Sequence, residues 1–437
     1  MRVSVFGLGY VGCVSAACLA RDGHMVIGVD VNPRKVETVA SGRSPIMEPG
    51  LDDLLSTSVE DGRLNATVDS EAAVHESEVS LICVGTPSNG NGSLGLQYVE
   101  RVCSEIGAAL AAKPAYHVVV VRSTVLPGTV EERLIPILEN HSGKRAGIDF
   151  GVCMNPEFLR EGKAIDDFYY PSQVVVGELD HESGSVVERL YKAVEAPFVH
   201  TSIRTAEMVK YVSNAFHALK VSFANEIGNL CQEQGIDGQE VMEIFRKDQR
   251  LNISPAYLKP GFAFGGSCLP KDMRALLHRA KELDLDSPLL AAVLQSNQRQ
   301  IQRAIDLVEK AGCKKVGVLG LSFKAGTDDV RESPTVPLIE TLIGRGYQVT
   351  LYDGGVDPEK LIGANRSYLE RELPHIASIM RPSIDEVLAQ AEVVVVANGS
   401  DSFHDLRRRM KADQVLIDLV GVTKAEAKRE AEREKAA

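Results

Sequence analysis

Residues 2–30, RVSVFGLGYVGCVSAACLARDGHMVIGVD, decide the fold. Residues 2–6 read as a short buried strand, and GLGYVG follows at once as Gly-x-Gly-x-x-Gly. Residues 11–20 are helix-like, and a second apolar strand at 24–29 ends in Asp30. Strand, glycine string, helix, strand and acid in one unit is the arrangement that binds a dinucleotide. Gly7 makes the tight turn, Gly9 lets a pyrophosphate approach the backbone, and Gly12 lets helix and strand pack closely. The helix N-terminus receives the phosphates. Asp30 would accept hydrogen bonds from ribose hydroxyls and repel a 2′-phosphate, so NAD rather than NADP is the expected cofactor, although the basic Arg34 and Lys35 follow closely. A glycine string alone is weak evidence, and a plain tight turn is the alternative; the surrounding strand, helix and acid weigh against it.

Outward from this unit, residues 1 to about 200 alternate strands and helices. Strands are expected at 3–6, 26–29, 79–84, 117–122, 151–154 and 173–176, as in a doubly wound parallel sheet. Several end in small, polar or Pro-containing loops: GTP at 85–87, STVLPGT at 123–129 and NPEFLREG at 155–162. Ligands of open α/β sheets lie over the carboxyl ends of the strands, so these loops belong with the GLGYVG turn. Residues 205–235 turn helical without a break. Lys210, Asn214, His217, Asn225 and Gly228 fall there within about 80° of one another at helical spacing. A solvated face would carry Glu and Lys; Asn, His and Gly favour a ligand-facing stripe. Near Lys314 a third region begins, strand, glycine loop and helix after Ser333-Pro334, with strands at 348–353, 393–397 and 415–420. Gly317, Gly320, Lys324 and Arg331 suit an anionic ligand. The fold class is therefore α/β: two Rossmann-like doubly wound domains joined by a helical middle domain with a long helix. The expected domains are 1–202, 203–310 and 311–437. The charged tail from Thr423 lacks an apolar face and is expected to fray.

Residues 261–272, GFAFGGSCLPKD, carry the chemistry. Gly265 and Gly266 are expected to leave room for a ligand beside the backbone. Pro270 fits the first turn of a helix. A helix N-terminus and Lys271 would both lower the pKa of the Cys268 thiol, which is how a nucleophilic thiolate is built. A small packing residue in a glycine-rich turn is the plainer reading of an isolated cysteine.

The chain of 437 residues is long enough for two or three domains with sizeable cores. A net charge of −12 argues against nucleic acid as a partner, and an anionic ligand then needs a local basic pocket. No apolar run approaches membrane-spanning length. The sequence opens on a strand and not a leader, so a cytoplasmic protein with reduced thiols is expected. The eight cysteines show no CxxC pair and no His/Cys metal spacing, and no metal is expected.

With these pieces in place the chain resembles the UDP-glucose/GDP-mannose dehydrogenase family. GLGYVG, GTP, STVLPGT, NPEFLREG, the helix carrying Lys210 to Asn225, FGGSCLPKD and FKAGTDDVRESP carry the likeness over almost the whole length. His217 in NAFHALK, KAGTDD and PGFAFGGSC point to the GDP-mannose branch, with UDP-glucose or another nucleotide sugar as the alternative. The family pattern has two adjacent tyrosines and an arginine before PGFAF. This chain has Ala256, Tyr257 and Lys259, so one aromatic contact is missing and a bidentate fork becomes a point charge.

The resemblance implies an NAD-dependent four-electron oxidation at C6 of the sugar, through a thiohemiacetal and a thioester on Cys268, for synthesis of an alginate-type polysaccharide. Lys210 and Asn214 would stabilise the oxyanion. Glu161, with Thr124 beside it, would position or deprotonate water, and Asp272 is either a second base or a first-turn acid. Glu157 is read as structural. Tyr10, Val11, Asp30, Lys35, Thr86, Thr124, Lys271 and Arg331 match cofactor positions. Glu161, Lys210, Asn214, His217, Asn225, Tyr257, Lys259, Phe262, Gly265 and Lys324 would hold the sugar nucleotide. A homodimer or higher homo-oligomer with shared sites, built on the long helix, is also implied. Two rivals remain: a two-electron β-hydroxyacid-type dehydrogenase that does not need Cys268, and an NAD-binding redox sensor without turnover.

Overall fold

Eight strands make the first sheet: β1 (Arg2–Phe6), β2 (Met25–Val29), β3 (Leu64–Thr67), β4 (Val79–Ile82), β5 (Val118–Val121), β6 (Gly151–Met154), β7 (Val174–Glu178) and β8 (Phe198–Thr201). The computed structural model describes residues 1–89, 91, 93–254, 261–266, 269–327, 329–357 and 363–423. They fall into two compact units, Met1–Ala218 and Leu219–Ala437.

The strand order is β3-β2-β1-β4-β5-β6-β7-β8. The order reverses between β1 and β4, which opens a crevice at the carboxyl ends of those two strands. The VVVV run of β5 shows why the sheet is buried on both faces. Val118 and Val120 join one core with Val3, Val5 and Leu81, while Val119 and Val121 join another with Phe6 and Ile82. Two strands, LNAT of β3 and FVHT of β8, escape the sequence reading. They are the edge strands, where one side faces no partner and polar residues are tolerated.

One expectation needs correction. The sheet is not wholly parallel, because β7 runs antiparallel to β6, with Cys153 opposite Glu178 and Met154 opposite Gly177. The connection stays at the carboxyl end of β6 instead of crossing back, and β8 then follows β7 in parallel.

The helix Ile203–Glu233 passes from the first unit into the second. The helices Gly238–Phe245, Leu269–Glu282 and Pro288–Lys310 follow. The second sheet has β9 (Lys315–Leu319), β10 (Gln348–Tyr352), β11 (Val393–Val396) and β12 (Val415–Asp418), all parallel in the order β10-β9-β11-β12. Among the described residues no helix is long and apolar enough to cross a membrane. The tail beyond Thr423 lies outside the described residues.

Candidate active site

The cofactor turn follows from its glycines. Gly7 has φ +98° and donates its N–H to Val29 O at 2.7 Å, which ties the end of β1 to the end of β2. A Cβ on Gly12 would lie 1.8 Å from Gly7 O, so only glycine lets the helix Tyr10–Arg21 start so close to the strand. At Gly9 a Cβ would meet nothing within 4 Å. The space over that residue is open, and no side chain caps the helix N-terminus there. Unpaired backbone N–H groups and the positive end of the helix dipole face it.

Asp30 closes the turn. Its Oδ2 accepts from Leu8 N at 2.8 Å, its Oδ1 accepts from Asn32 N at 2.9 Å, and Lys35 Nζ lies 3.5 Å from Oδ2. A cavity of about 230 Å³ opens beside it, lined by Gly7, Gly9, Asp30, Val68, Val84 and Tyr98 among others. An apolar slot ending in a carboxylate, beside an open glycine turn, fits adenosine ribose and pyrophosphate. The strand-end loops converge here too. Thr86 Oγ1 donates to Thr124 O at 2.9 Å, and Ser123 Oγ donates to Val84 O at 2.6 Å.

The start of the Ile203–Glu233 helix grips two of these loops. Glu207, fully buried, accepts from Gly128 N at 2.6 Å and Val130 N at 2.9 Å, which fixes STVLPGT. One turn later Lys210 is buried, with Nζ 2.8 Å from Glu157 Oε1 in the NPEFLREG loop. The base of that loop is pinned as well: Arg122 Nη1 donates to Asn155 Oδ1 at 2.5 Å, and Asn155 Nδ2 donates to Val175 O at 2.8 Å. Asn214 and His217 follow on the same helix and are exposed.

Two carboxylate pairings carry no signal in the sequence. Glu157, taken as structural, is the partner of Lys210. Glu48, in SPIMEPG, accepts from the Tyr10 hydroxyl, from Gly162 N at 2.7 Å and from Ala164 N at 2.8 Å. Burial alone would raise the Glu48 carboxyl, but these hydrogen bonds outweigh it and hold it below its ordinary range. Burial, then Glu48, pushes the Tyr10 hydroxyl up, so it stays a donor. Glu48 thereby joins the first helical turn to the loop that carries the exposed Glu161. An acid next to a Pro-Gly turn gives no sequence signal for this role. Val11 and Thr124 are half-buried within the same unit.

In the second unit, Cys268, Tyr257 and Lys259 lie outside the described residues. The segment before Cys268 is clamped by the helix Pro288–Lys310. Asn297 accepts from Phe264 N at 2.8 Å and donates to Phe264 O at 2.9 Å, and Gln300 Nε2 donates to Gly261 O at 2.7 Å. The expected room beside Gly265 and Gly266 is taken by the protein itself. A Cβ on Gly265 would lie 2.4 Å from Glu332 O, and one on Gly266, at φ +87°, would lie 2.9 Å from the Phe323 ring. These glycines are required by packing against the 323–334 loop. Phe262 packs against the core of the second sheet. Pro270 is buried in the first turn of Leu269–Glu282, where Lys271 pairs with Asp272. Asn225 and Lys324 are exposed, and Arg331 holds Asp329 through Nε at 2.9 Å and Nη2 at 2.8 Å.

The second sheet repeats the first turn with two of its glycines replaced, Ser322 at the position of Gly9 and Ala325 at that of Gly12. Gly320, at φ +101°, donates to Tyr352 O at 2.8 Å, as Gly7 does to Val29. Asp353 accepts from Leu321 N at 2.7 Å, as Asp30 does from Leu8 N. Where Gly9 stands open, however, Ser322 is buried and donates to Asp353 at 3.0 Å. Asp353 also accepts from Ser322 N and Gly355 N. A carboxylate so saturated has little left for a ribose, and the turn gives a pyrophosphate no approach.

Family models match in three consecutive stretches: the NAD binding domain of the UDP-glucose/GDP-mannose dehydrogenase family at residues 1–195, its central domain at 204–299 and its UDP binding domain at 317–425. The GDP-mannose 6-dehydrogenase of Pseudomonas aeruginosa is 52% identical over 421 residues, which is 96% of this chain and 97% of that protein. The UDP-glucose 6-dehydrogenase AglM of Haloferax volcanii is 37% identical over 96% of each. A crystal structure of a ternary complex of GDP-mannose dehydrogenase from Pseudomonas aeruginosa superposes with a TM-score of 0.94, covering 97% of both chains.

Proposed function

Because the chain belongs to the UDP-glucose/GDP-mannose dehydrogenase family, we propose that it oxidises GDP-mannose at C6 to GDP-mannuronate with NAD, using Cys268 as the nucleophile. The single observation that carries the cofactor is the open Gly9 turn with Asp30 at the end of β2. The greater likeness to GDP-mannose 6-dehydrogenases than to a UDP-glucose enzyme supports the sugar.

NAD, when bound, accepts the hydride released at C6 in each of two oxidations. Between them the Cys268 thiolate adds to the aldehyde carbon. The resulting thiohemiacetal becomes a thioester on the second oxidation, and water cleaves its C–S bond to give the carboxylate and free thiol. Lys210 and Asn214 stabilise the oxyanion that develops at C6. The ion pair with Glu157 holds the Lys210 ammonium in place. Glu161 positions the water with Thr124, and Asp272 is the second acid available. Tyr10, Val11, Lys35, Thr86, Lys271 and Arg331 are assigned to the cofactor. His217, Asn225, Tyr257, Lys259, Phe262 and Lys324 are assigned to the nucleotide sugar.

The same reading includes a homo-oligomer. Met208, Val212, Phe216 and Leu219 stand exposed at helical spacing along Ile203–Glu233, an apolar stripe suited to a second copy. A cytoplasmic enzyme feeding an alginate-type polysaccharide completes it. Counting NADH formed per nucleotide sugar consumed tests the reaction, and sizing the purified protein tests the assembly.

A further inference from the structure

We propose that Glu178, His181 and His200 form a binding site for a first-row divalent cation of the Zn²⁺ type, separate from the cofactor site. The three residues come from three elements. Glu178 ends β7, His181 opens the helix His181–Leu190, and His200 lies on β8. Their ligand atoms all lie within 4.8 Å of one another. His200 Nδ1 is 2.7 Å from Glu178 Oε2, and His181 Nδ1 is 3.5 Å from Oε1. Two imidazoles and a carboxylate are the donor set that Zn²⁺ accepts, with a fourth position left for water.

Two features show that the cluster is built. The Glu178 carboxylate sits over Gly184, where a Cβ would lie 1.5 Å from Oε2. Only glycine at that point of the helix admits the side chain. On its far side the His200 ring presents Nε2 to Glu188, 3.6 Å from Oε2. A ligating histidine whose second nitrogen faces a carboxylate is the usual supporting arrangement at such sites. Among the described residues no Lys or Arg forms an ion pair with Glu178, so the cluster lacks the fixed cation that would otherwise occupy it. Because β7 and β8 run opposite to β6, their carboxyl ends lie at the other end of the sheet from the Gly7–Gly12 turn. A cation there would clamp the edge strand β8 to β7 and the following helix.

The test uses the full chain, freed of metal with a chelator, and titrates it with Zn²⁺ by calorimetry and with Co²⁺ by absorption. The expected result is one equivalent bound per chain, a Co²⁺ spectrum without a thiolate band, and a rise in melting temperature on adding Zn²⁺. His181 is 82% exposed, so His181→Ala keeps the fold; it should weaken binding by about tenfold or more and abolish the thermal shift. His200→Ala should do the same. No binding, or binding unchanged in both variants, would overturn the proposal.

Discussion

Lys210 Nζ lies 2.8 Å from Glu157 Oε1, and the two side chains are only 8% and 12% exposed. A buried ion pair is not a reliable gain in stability, but removing one partner leaves an unpaired buried charge and costs about 3–5 kcal/mol. Lys210→Ala is therefore expected to lower the melting temperature as well as kcat, the latter by about 10²–10³-fold if the ammonium stabilises the oxyanion. Glu157→Ala should also destabilise. A Lys210→Ala enzyme with normal kcat would remove the lysine from the chemistry.

Asp30 governs cofactor choice. Charge-assisted hydrogen bonds to a ribose are worth about 1.5–3 kcal/mol, so Asp30→Ala should raise the KM for NAD by roughly ten- to a hundredfold. It also frees Lys35, which now lies 3.5 Å from the carboxylate, so relative use of NADP should rise. Steady-state kinetics with both cofactors measures this.

Gly9 and Gly12 should fail differently. Gly12→Ala places a methyl 1.8 Å from Gly7 O and should unfold the turn, with a large drop in melting temperature. Gly9→Ala meets no atom within 4 Å and should fold normally while losing NAD binding. Thermal melts paired with NADH titration separate the two. Equal loss of stability in both would contradict the open turn.

Acid stability should depend on His117. Its ring is fully buried between Lys113 Nζ, 3.0 Å from Nδ1, and Ser80 Oγ, 2.8 Å from Nε2. Burial first, and the Lys113 charge second, push its pKa down from 6.5 to about 3. The folded state thus binds fewer protons than the unfolded chain below pH 6.5. The contribution is fully present above about 6.5 and is lost as pH falls toward 3. A one-proton difference gives a slope of about 1.4 kcal/mol per pH unit between those limits. Urea unfolding from pH 6 to 4 should show a shallower fall in His117→Gln; an unchanged slope would contradict this.

The cofactor turn was legible because its requirements are local: Gly7, Gly9, Gly12 and Asp30 sit within one strand–helix–strand unit. What sequence could not show depends on distant pairings. Glu157 meets Lys210 across 53 residues, and Glu48 reaches Gly162 across 114. The edge strands β3 and β8 carry too few apolar residues to announce themselves. Gly265 and Gly266 were correctly singled out, but for the wrong reason: what crowds them is the 323–334 loop, which no local pattern places there.

The central claim is a thiol-dependent double oxidation of GDP-mannose. It is tested most directly by counting NADH formed from limiting GDP-mannose, UDP-glucose and UDP-N-acetylglucosamine, with Cys268→Ala in parallel. The account predicts two NADH per GDP-mannose, none beyond background from the others, and a stalled or inactive variant. Two NADH from UDP-glucose alone would overturn the sugar, and one NADH per GDP-mannose with a fully active Cys268→Ala enzyme would contradict the mechanism.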